Sequence, residues 1–294
     1  MAERQNEFLY ETTLKYQPED TFLNFQHYLL FSSKQITKFL FSTPVTPHQV
    51  ILFSLILGIA SSFLIIQENK ILVIIGAVLL FYKNVLDKVD GSLARSKGMA
   101  SRRGRFYDSI TDFIVSFALF TAIGFKINQQ YNSIRVWIIC YSALIASMLQ
   151  CSYFIYYEVA YIKQTGKNTV NRLIESVTED DLKTQDKFTI LLQRIFQLIY
   201  GWQDYIMLRI DKFFLRKLTG SAEFENTWYK DKPFLSLSSL LCIGTHMVLI
   251  ALFAVIGRFE YYLVWNLILW NLLLISCVFY HYYHVKARLR KAKQ

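Results

Sequence analysis

Long apolar runs alternate with short polar turns along most of this chain. The runs cover Pro47 to about Ile66, Ile71 to Leu86, Phe106 to Phe125, Val136 to Tyr161, Phe234 to Ile256 and Tyr261 to Tyr283. Roughly 20 apolar residues cross a bilayer as a helix, and most of these runs approach or exceed that length. Thr46 is placed to cap the first and Pro47 to occupy its first turn. Two stretches differ. From Thr21 to Phe41 apolar residues recur, but Gln26, Lys34, Gln35 and Lys38 interrupt them, which predicts an amphipathic helix lying in the membrane interface. Residues 163–231 carry Gln193, Arg194, Gln197, Asp204, Arg209 and Asp211 among periodic apolar positions, which predicts an interfacial helical pair broken near Gly201, with Asp204 and Asp211 on solvated faces.

The pattern predicts an all-α integral membrane protein with six transmembrane helices, an N-terminal interfacial amphipathic helix and a cytoplasmic helical insert between spans four and five. The divisions are 1–42 (tail and interfacial helix), 43–162 (spans one to four), 163–231 (insert) and 232–294 (spans five and six with a basic tail). Composition agrees: 53% of the 294 residues are hydrophobic and only 18% charged, below the usual quarter for soluble domains. The N-terminus lacks the short apolar core and cleavage site of a signal peptide. The net charge of +10 does not call for nucleic acid, because cytoplasmic loops of membrane proteins collect Lys and Arg. Lys88, Arg95, Lys97, Arg102, Arg103 and Arg105 lie between spans two and three, and Lys286, Arg288, Arg290, Lys291 and Lys293 form the tail. Six spans put both groups, and both termini, on the cytoplasmic side. The cysteines at 140, 151, 242 and 277 show no CxxC spacing and read as small buried hydrophobes. The five histidines suggest no metal site.

Candidate chemistry is concentrated between the second and third spans. Asp87 and Asp90 are three apart, Asp108 and Asp112 four apart, so each pair shares a helix face. A connection of about a dozen residues would set both pairs at one depth on the cytoplasmic side. Converging carboxylates repel unless cations sit between them. Oxygen-only ligation suits Mg²⁺ or Mn²⁺, and two such ions can clamp a diphosphate. Gly91 and Gly104 allow close approach of a ligand, Ala94 keeps a turn small, and Arg95 offers a planar donor to phosphate. The other basic residues of this stretch read as topology determinants, with Lys97, Arg102 and Arg103 also able to meet anionic lipid headgroups.

The pattern Asp87-x2-Asp90-Gly91-x2-Ala94-Arg95-x8-Gly104-x3-Asp108-x3-Asp112 resembles the CDP-alcohol phosphotransferase motif at all eight fixed positions and in spacing. The span layout and N-terminal helix also look like that family, excepting the insert at 163–231. The resemblance implies transfer of a substituted phosphate from a CDP-alcohol, with CDP-diacylglycerol favoured, to the hydroxyl of a small alcohol or lipid acceptor, releasing CMP. It implies divalent metals on Asp87, Asp90 and Asp108, Asp112 as general base and metal neighbour, a CDP pocket of Gly91, Ala94, Arg95 and Gly104, and homodimers. The chain departs from particular subfamilies. Thr46-Pro47-His48 stands for the common Thr-Pro-Asn, Ser109 follows Asp108 where Pro is frequent, Arg103-Gly104 replaces Phe-Gly, and neither Pro-Leu-Gly nor Asp-His-Gly occurs here. These departures leave the acceptor open. The alternatives are a choline- or ethanolamine-type transferase with a lipid acceptor and, in a different class, a membrane cation transporter using its aspartates.

Overall fold

The computed structural model describes residues 8, 13–16, 18–24, 30–165, 170–218 and 222–292, and among them every long element is a helix. In chain order these are α1 (Leu30–Phe41), α2 (Pro47–Leu64), α3 (Lys70–Ser96), α4 (Arg102–Tyr131), α5 (Ile134–Gln164), α6 (Glu179–Thr184), α7 (Lys187–Leu218), α8 (Ala222–Tyr229), α9 (Lys232–Ser238), α10 (Ile243–Ile256), α11 (Phe259–Val264) and α12 (Asn271–Ala292). A π-helical turn, Trp265–Trp270, joins the last two.

Local chemistry sets the boundaries that matter for the site. Thr46 and Gln49 form a reciprocal capping box at the start of α2, with Pro47 in the first turn. The Asn69 side chain accepts from the Ile71 N–H (2.8 Å) and starts α3. α3 then continues through Asp87 and Asp90 to Ser96. The Ser101 hydroxyl accepts from the Gly104 N–H (3.1 Å) and starts α4. The connection is therefore Lys97–Ser101, five residues rather than a dozen, because the motif itself is helical on both sides. Gly98 turns the chain at φ +67°, where a side chain would be strained.

Five stretches are long and apolar enough to cross a membrane: Pro47–Leu64, Arg102–Tyr131, Ile134–Gln164, Phe224–Ile256 and Phe259–Lys291. α3 is not among them, since Lys83, Asp87 and Lys88 interrupt its apolar run. The fourth stretch is broken inside: a 3₁₀ turn at Ser239–Leu241 leads to Cys242 in extended backbone, and α10 starts afresh. In the first core cluster Leu80 of α3 packs with Val115, Leu119 and Phe120 of α4, Cys140 and Ala143 of α5, and Met247 and Ile250 of α10. Some polar side chains inside the bundle bond to backbone carbonyls of neighbouring helices. Asn84 donates to the Gly244 carbonyl (3.0 Å), and Asn266, in the π turn, donates to the Ala143 carbonyl (3.0 Å).

Three expectations are corrected. α7 runs unbroken through Gly201. One glycine costs a helix about 1 kcal/mol, and side-chain contacts with α4 and α5 on both sides of it outweigh that. Tyr200 donates to the Ser109 carbonyl (3.0 Å) and Ser152 to Gln203 (2.6 Å). Asp211 does not face solvent: it is 1% exposed and accepts from Trp228 Nε1 (2.7 Å), Tyr229 OH (2.7 Å) and Tyr156 OH (3.1 Å). Asp204 is partly buried against the bundle. The N-terminal helix begins at Leu30; residues 21–24 are not helical, and 25–29 lie outside the described residues. It turns Ser33 and Thr37 inward and leaves Phe31 and Phe39 exposed.

Helix spacing near the site depends on missing side chains. A Cβ at Gly58 would lie 2.5 Å from a Val115 methyl, so α2 and α4 touch there backbone to side chain. Gly58→Ala is expected to destabilise the protein by about 1–3 kcal/mol through overpacking, read as a lower melting temperature in detergent. An unchanged melting temperature would contradict this close contact.

Candidate active site

The short turn after α3 lays its last turns against the first turns of α4, and the four aspartates meet there. Carboxylate oxygens of Asp87, Asp90 and Asp108 lie within 4.8 Å of one another. Asp90 is 5% exposed, and its Oδ2 is buried with no hydrogen-bond partner among the described residues. Three anionic oxygen donors with an orphaned buried oxygen fit a hard divalent cation. Asp112 stands one helical turn further along α4, ion-paired through Oδ1 with the Lys83 ammonium.

Lys83 is the functional residue that the sequence reading passed over. It is 2% exposed, touches Asp112, and lies 3.4 Å from Asp87 Oδ1. The signal was a lone lysine in an apolar run, four residues before Asp87. A cation there links the two helices and offsets part of the carboxylate repulsion. Glu158 was passed over too. It is 4% exposed on α5 and binds Lys15 and the Tyr16 hydroxyl of the N-terminal segment.

A cavity of about 330 Å³ is lined by all eight motif residues, together with Lys15, His48, Lys88 and Glu158. Gly91 leaves room for Arg95 to fold back, since a Cβ would lie 3.3 Å from Arg95 Nη1. Arg95 donates through Nε to the Thr13 carbonyl (2.8 Å), so this arginine also fastens the N-terminal segment over the cavity. At Gly104 an added Cβ would meet only Ser101 Oγ (3.3 Å) and, more distantly, His48 Nε2 (3.9 Å). Ala94 lines the same wall.

Lys97, Arg102, Arg103 and Arg105 are held by protein groups. Lys97 donates to the Thr43 and Val45 carbonyls (2.7 and 2.8 Å) and ties α3 to the connection before α2. Arg103 pairs with Asp186 (2.6 Å) at the surface. Arg102 and Arg105 converge on Glu175, 1% exposed, at 2.9 and 3.4 Å. Arg172 makes a two-pronged bond to Asp181 (2.7 and 2.8 Å). Burial opposes ionisation of Asp181, but Arg172 overrides it and holds the carboxyl below its usual range. The segment 170–189 is thus pinned to the start of α4 by charge.

A second, smaller cavity of about 110 Å³ lies between α4, α5 and α7. It meets the first at Arg105, Ser109, Asp112, Cys151, Ile155 and Ile243. Phe113, Phe196, Tyr156 and Tyr200 form much of its wall, and Asp204 reaches it from α7. Burial pushes the Asp204 carboxyl up to about 7, with Arg105 opposing.

A phosphate-sized space beside three clustered carboxylates, with a fourth paired to a lysine, is the setting of a phosphoryl-group transferase. The sequence model of the CDP-alcohol phosphatidyltransferase family matches residues 44–212, more than half of the chain, and the protein belongs to that family. It is accordingly a transferase of substituted phosphate groups, which displaces the transporter reading. No curated protein matches the chain. The match ends within α7, so most of 163–231, read from the sequence as outside the resemblance, is part of the family domain.

Replacing Lys83 by Met leaves buried carboxylates uncompensated. Lys83→Met is expected to cost about 3–5 kcal/mol in metal-free protein, with Mg²⁺ restoring part of the loss. Melting curves with EDTA and with Mg²⁺ measure both; no loss in EDTA would remove Lys83 from this role.

Proposed function

We propose that the protein makes a phospholipid by moving a phosphatidyl group from CDP-diacylglycerol to the hydroxyl of a small alcohol, with release of CMP. The observation that carries this reading is the single cavity shared by the Asp87–Asp90–Asp108 group and Asp112, in a chain of this family. Asp87, Asp90 and Asp108 would hold two divalent ions, Mg²⁺ or Mn²⁺, with Asp112 as metal neighbour. Bound there, the ions would neutralise the diphosphate and the departing CMP.

The chain's own groups do the rest. Lys83 pairs with Asp112 and holds it at the cavity wall. Asp112 takes the proton from the acceptor hydroxyl. The acceptor oxygen forms a bond to the phosphorus that bears the diacylglycerol, and the phosphorus–oxygen bond to CMP breaks, CMP leaving with the electron pair. Arg95, with Gly91, Ala94 and Gly104, receives the CDP portion. The second cavity opens at Asp112 and has a third of the first one's volume. That size suits a small acceptor and supports a reading in which the acyl chains belong to the donor.

α3 is proposed as the sixth span. Its charged end would stay at the cytoplasmic face with both termini, and Lys97, Arg102, Arg103 and Arg105 follow the positive-inside bias. The outward Phe31 and Phe39 of α1 would rest in the interface. A homodimer through membrane helices is part of the same reading.

Asp112→Asn is expected to lower CMP release at least 10²-fold while Mg²⁺ still raises the melting temperature; full activity would remove Asp112 from the mechanism. CDP-ethanolamine with diacylglycerol active in place of CDP-diacylglycerol would reverse donor and acceptor. Single cysteines at Glu68 and Met99, probed with a membrane-impermeant maleimide, should label from opposite sides. Labelling from one side would refute α3 as a span.

A further inference from the structure

Beyond the aspartate motif, the larger cavity carries a second set of charges. Lys15, Lys88 and Arg95 line it, and Glu158 is the one carboxylate on its wall outside the motif. Arg105 also reaches this wall but is drawn to Glu175 (3.4 Å). Lys88 follows Asp87 on α3 and forms no ion pair or hydrogen bond with the described residues. Asp87 and Glu158 are the carboxylates that its charge reaches, and Asp87 already faces Lys83 (3.4 Å). Arg95 bonds to neutral groups, the Thr13 carbonyl (2.8 Å) and Ser92 Oγ (3.4 Å). Glu158 is 4% exposed and accepts from the Lys15 ammonium and the Tyr16 hydroxyl. Three positive charges therefore stand against one carboxylate outside the motif.

A buried carboxylate left alone beside a phosphate site would repel the ligand. Here Lys15 answers its charge, and the effect is to hold an ammonium at the cavity wall. The Lys15 side chain keeps 40% of its surface exposed, and an ammonium has three N–H donors, of which Glu158 takes one. The backbone around Lys15 is fixed as well. Tyr161 donates to the Asp20 carbonyl (2.7 Å) and Lys232 to the Glu19 carbonyl (2.6 Å). Lys15 also precedes the region 44–212 that the family model matches. Resting on the proposed function, we infer that Lys15 and Lys88 bind phosphate oxygens of the cytidine diphosphate donor alongside the metals, and that Glu158 is a positioning residue that presents Lys15. The N-terminal segment is then a working part of the donor site.

The test uses CDP, which lacks the alcohol that is transferred, and cytidine, which lacks both phosphates. Thermal-shift titrations of the full chain in detergent with Mg²⁺ give an affinity for each, read from each variant's own ligand-free baseline. Lys88→Met and Lys15→Met are each expected to weaken CDP about tenfold, the worth of one charge-assisted hydrogen bond, and to leave cytidine within about twofold. Unchanged CDP affinity, or an equal loss for CDP and cytidine, would overturn the inference. Lys88 has no ion pair among the described residues to lose, so its variant decides the matter if Lys15→Met does not fold. Glu158→Gln separates positioning from plain electrostatics by sign. Removing a negative charge alone favours an anion, whereas losing the grip on Lys15 weakens CDP; equal or tighter CDP binding in Glu158→Gln would overturn the positioning role. Failure of the phosphatidyl reading shows elsewhere: CMP release from CDP-ethanolamine and not from CDP-diacylglycerol would overturn the donor named above and leave both lysines in place, since either donor carries cytidine diphosphate.

Discussion

Carboxylates crowded into a partly buried volume must be given positive charge, and the architecture around α3 and α4 follows from that requirement. Four acids converge because the connection between the helices is only five residues long. Lys83 answers two of them from inside the protein, and a buried ion pair of this kind positions groups more reliably than it stabilises a fold. The Asp87–Asp90–Asp108 group, in which Lys83 reaches only Asp87 and Asp90 keeps a bare oxygen, is left for cations from solution. The contrast separates Asp112, whose charge is balanced permanently, from acids whose charge is balanced only when the site is loaded.

A similar logic fastens the rest of the chain to the site. The N-terminal segment reaches the cavity through Arg95 and Glu158, and the segment 170–189 reaches it through Arg102, Arg105 and Glu175. Residues that would pass for topology signals thus double as anchors. The positive-inside bias says on which side an arginine belongs; the carboxylate it meets says what it holds.

The helical class, the position of most long apolar runs and the convergence of the motif were legible because they depend on short-range periodicity and spacing. The capping of α2 by Thr46 was legible for the same reason. What stayed hidden depends on contacts across the chain. Asp211 looks like a surface acid until Trp228, Tyr229 and Tyr156 are brought round it. Gly201 looks like a break until α7 is seen packed along α4 and α5 on both sides of it. The break at Cys242 falls in an apolar run that carries no proline or glycine at that position. Lys83 and Glu158 could have been found, since a charged residue inside an apolar run demands a partner.

The meeting of the two cavities at Asp112 also bears on fidelity. Water is the commonest hydroxyl compound near any such site, and an ionised base at the junction can deprotonate it as readily as an alcohol. Transfer then competes with hydrolysis of the activated donor. Aromatic walls narrow the space open to water. The shape of the smaller chamber thereby bears on how much activated donor would be lost to water.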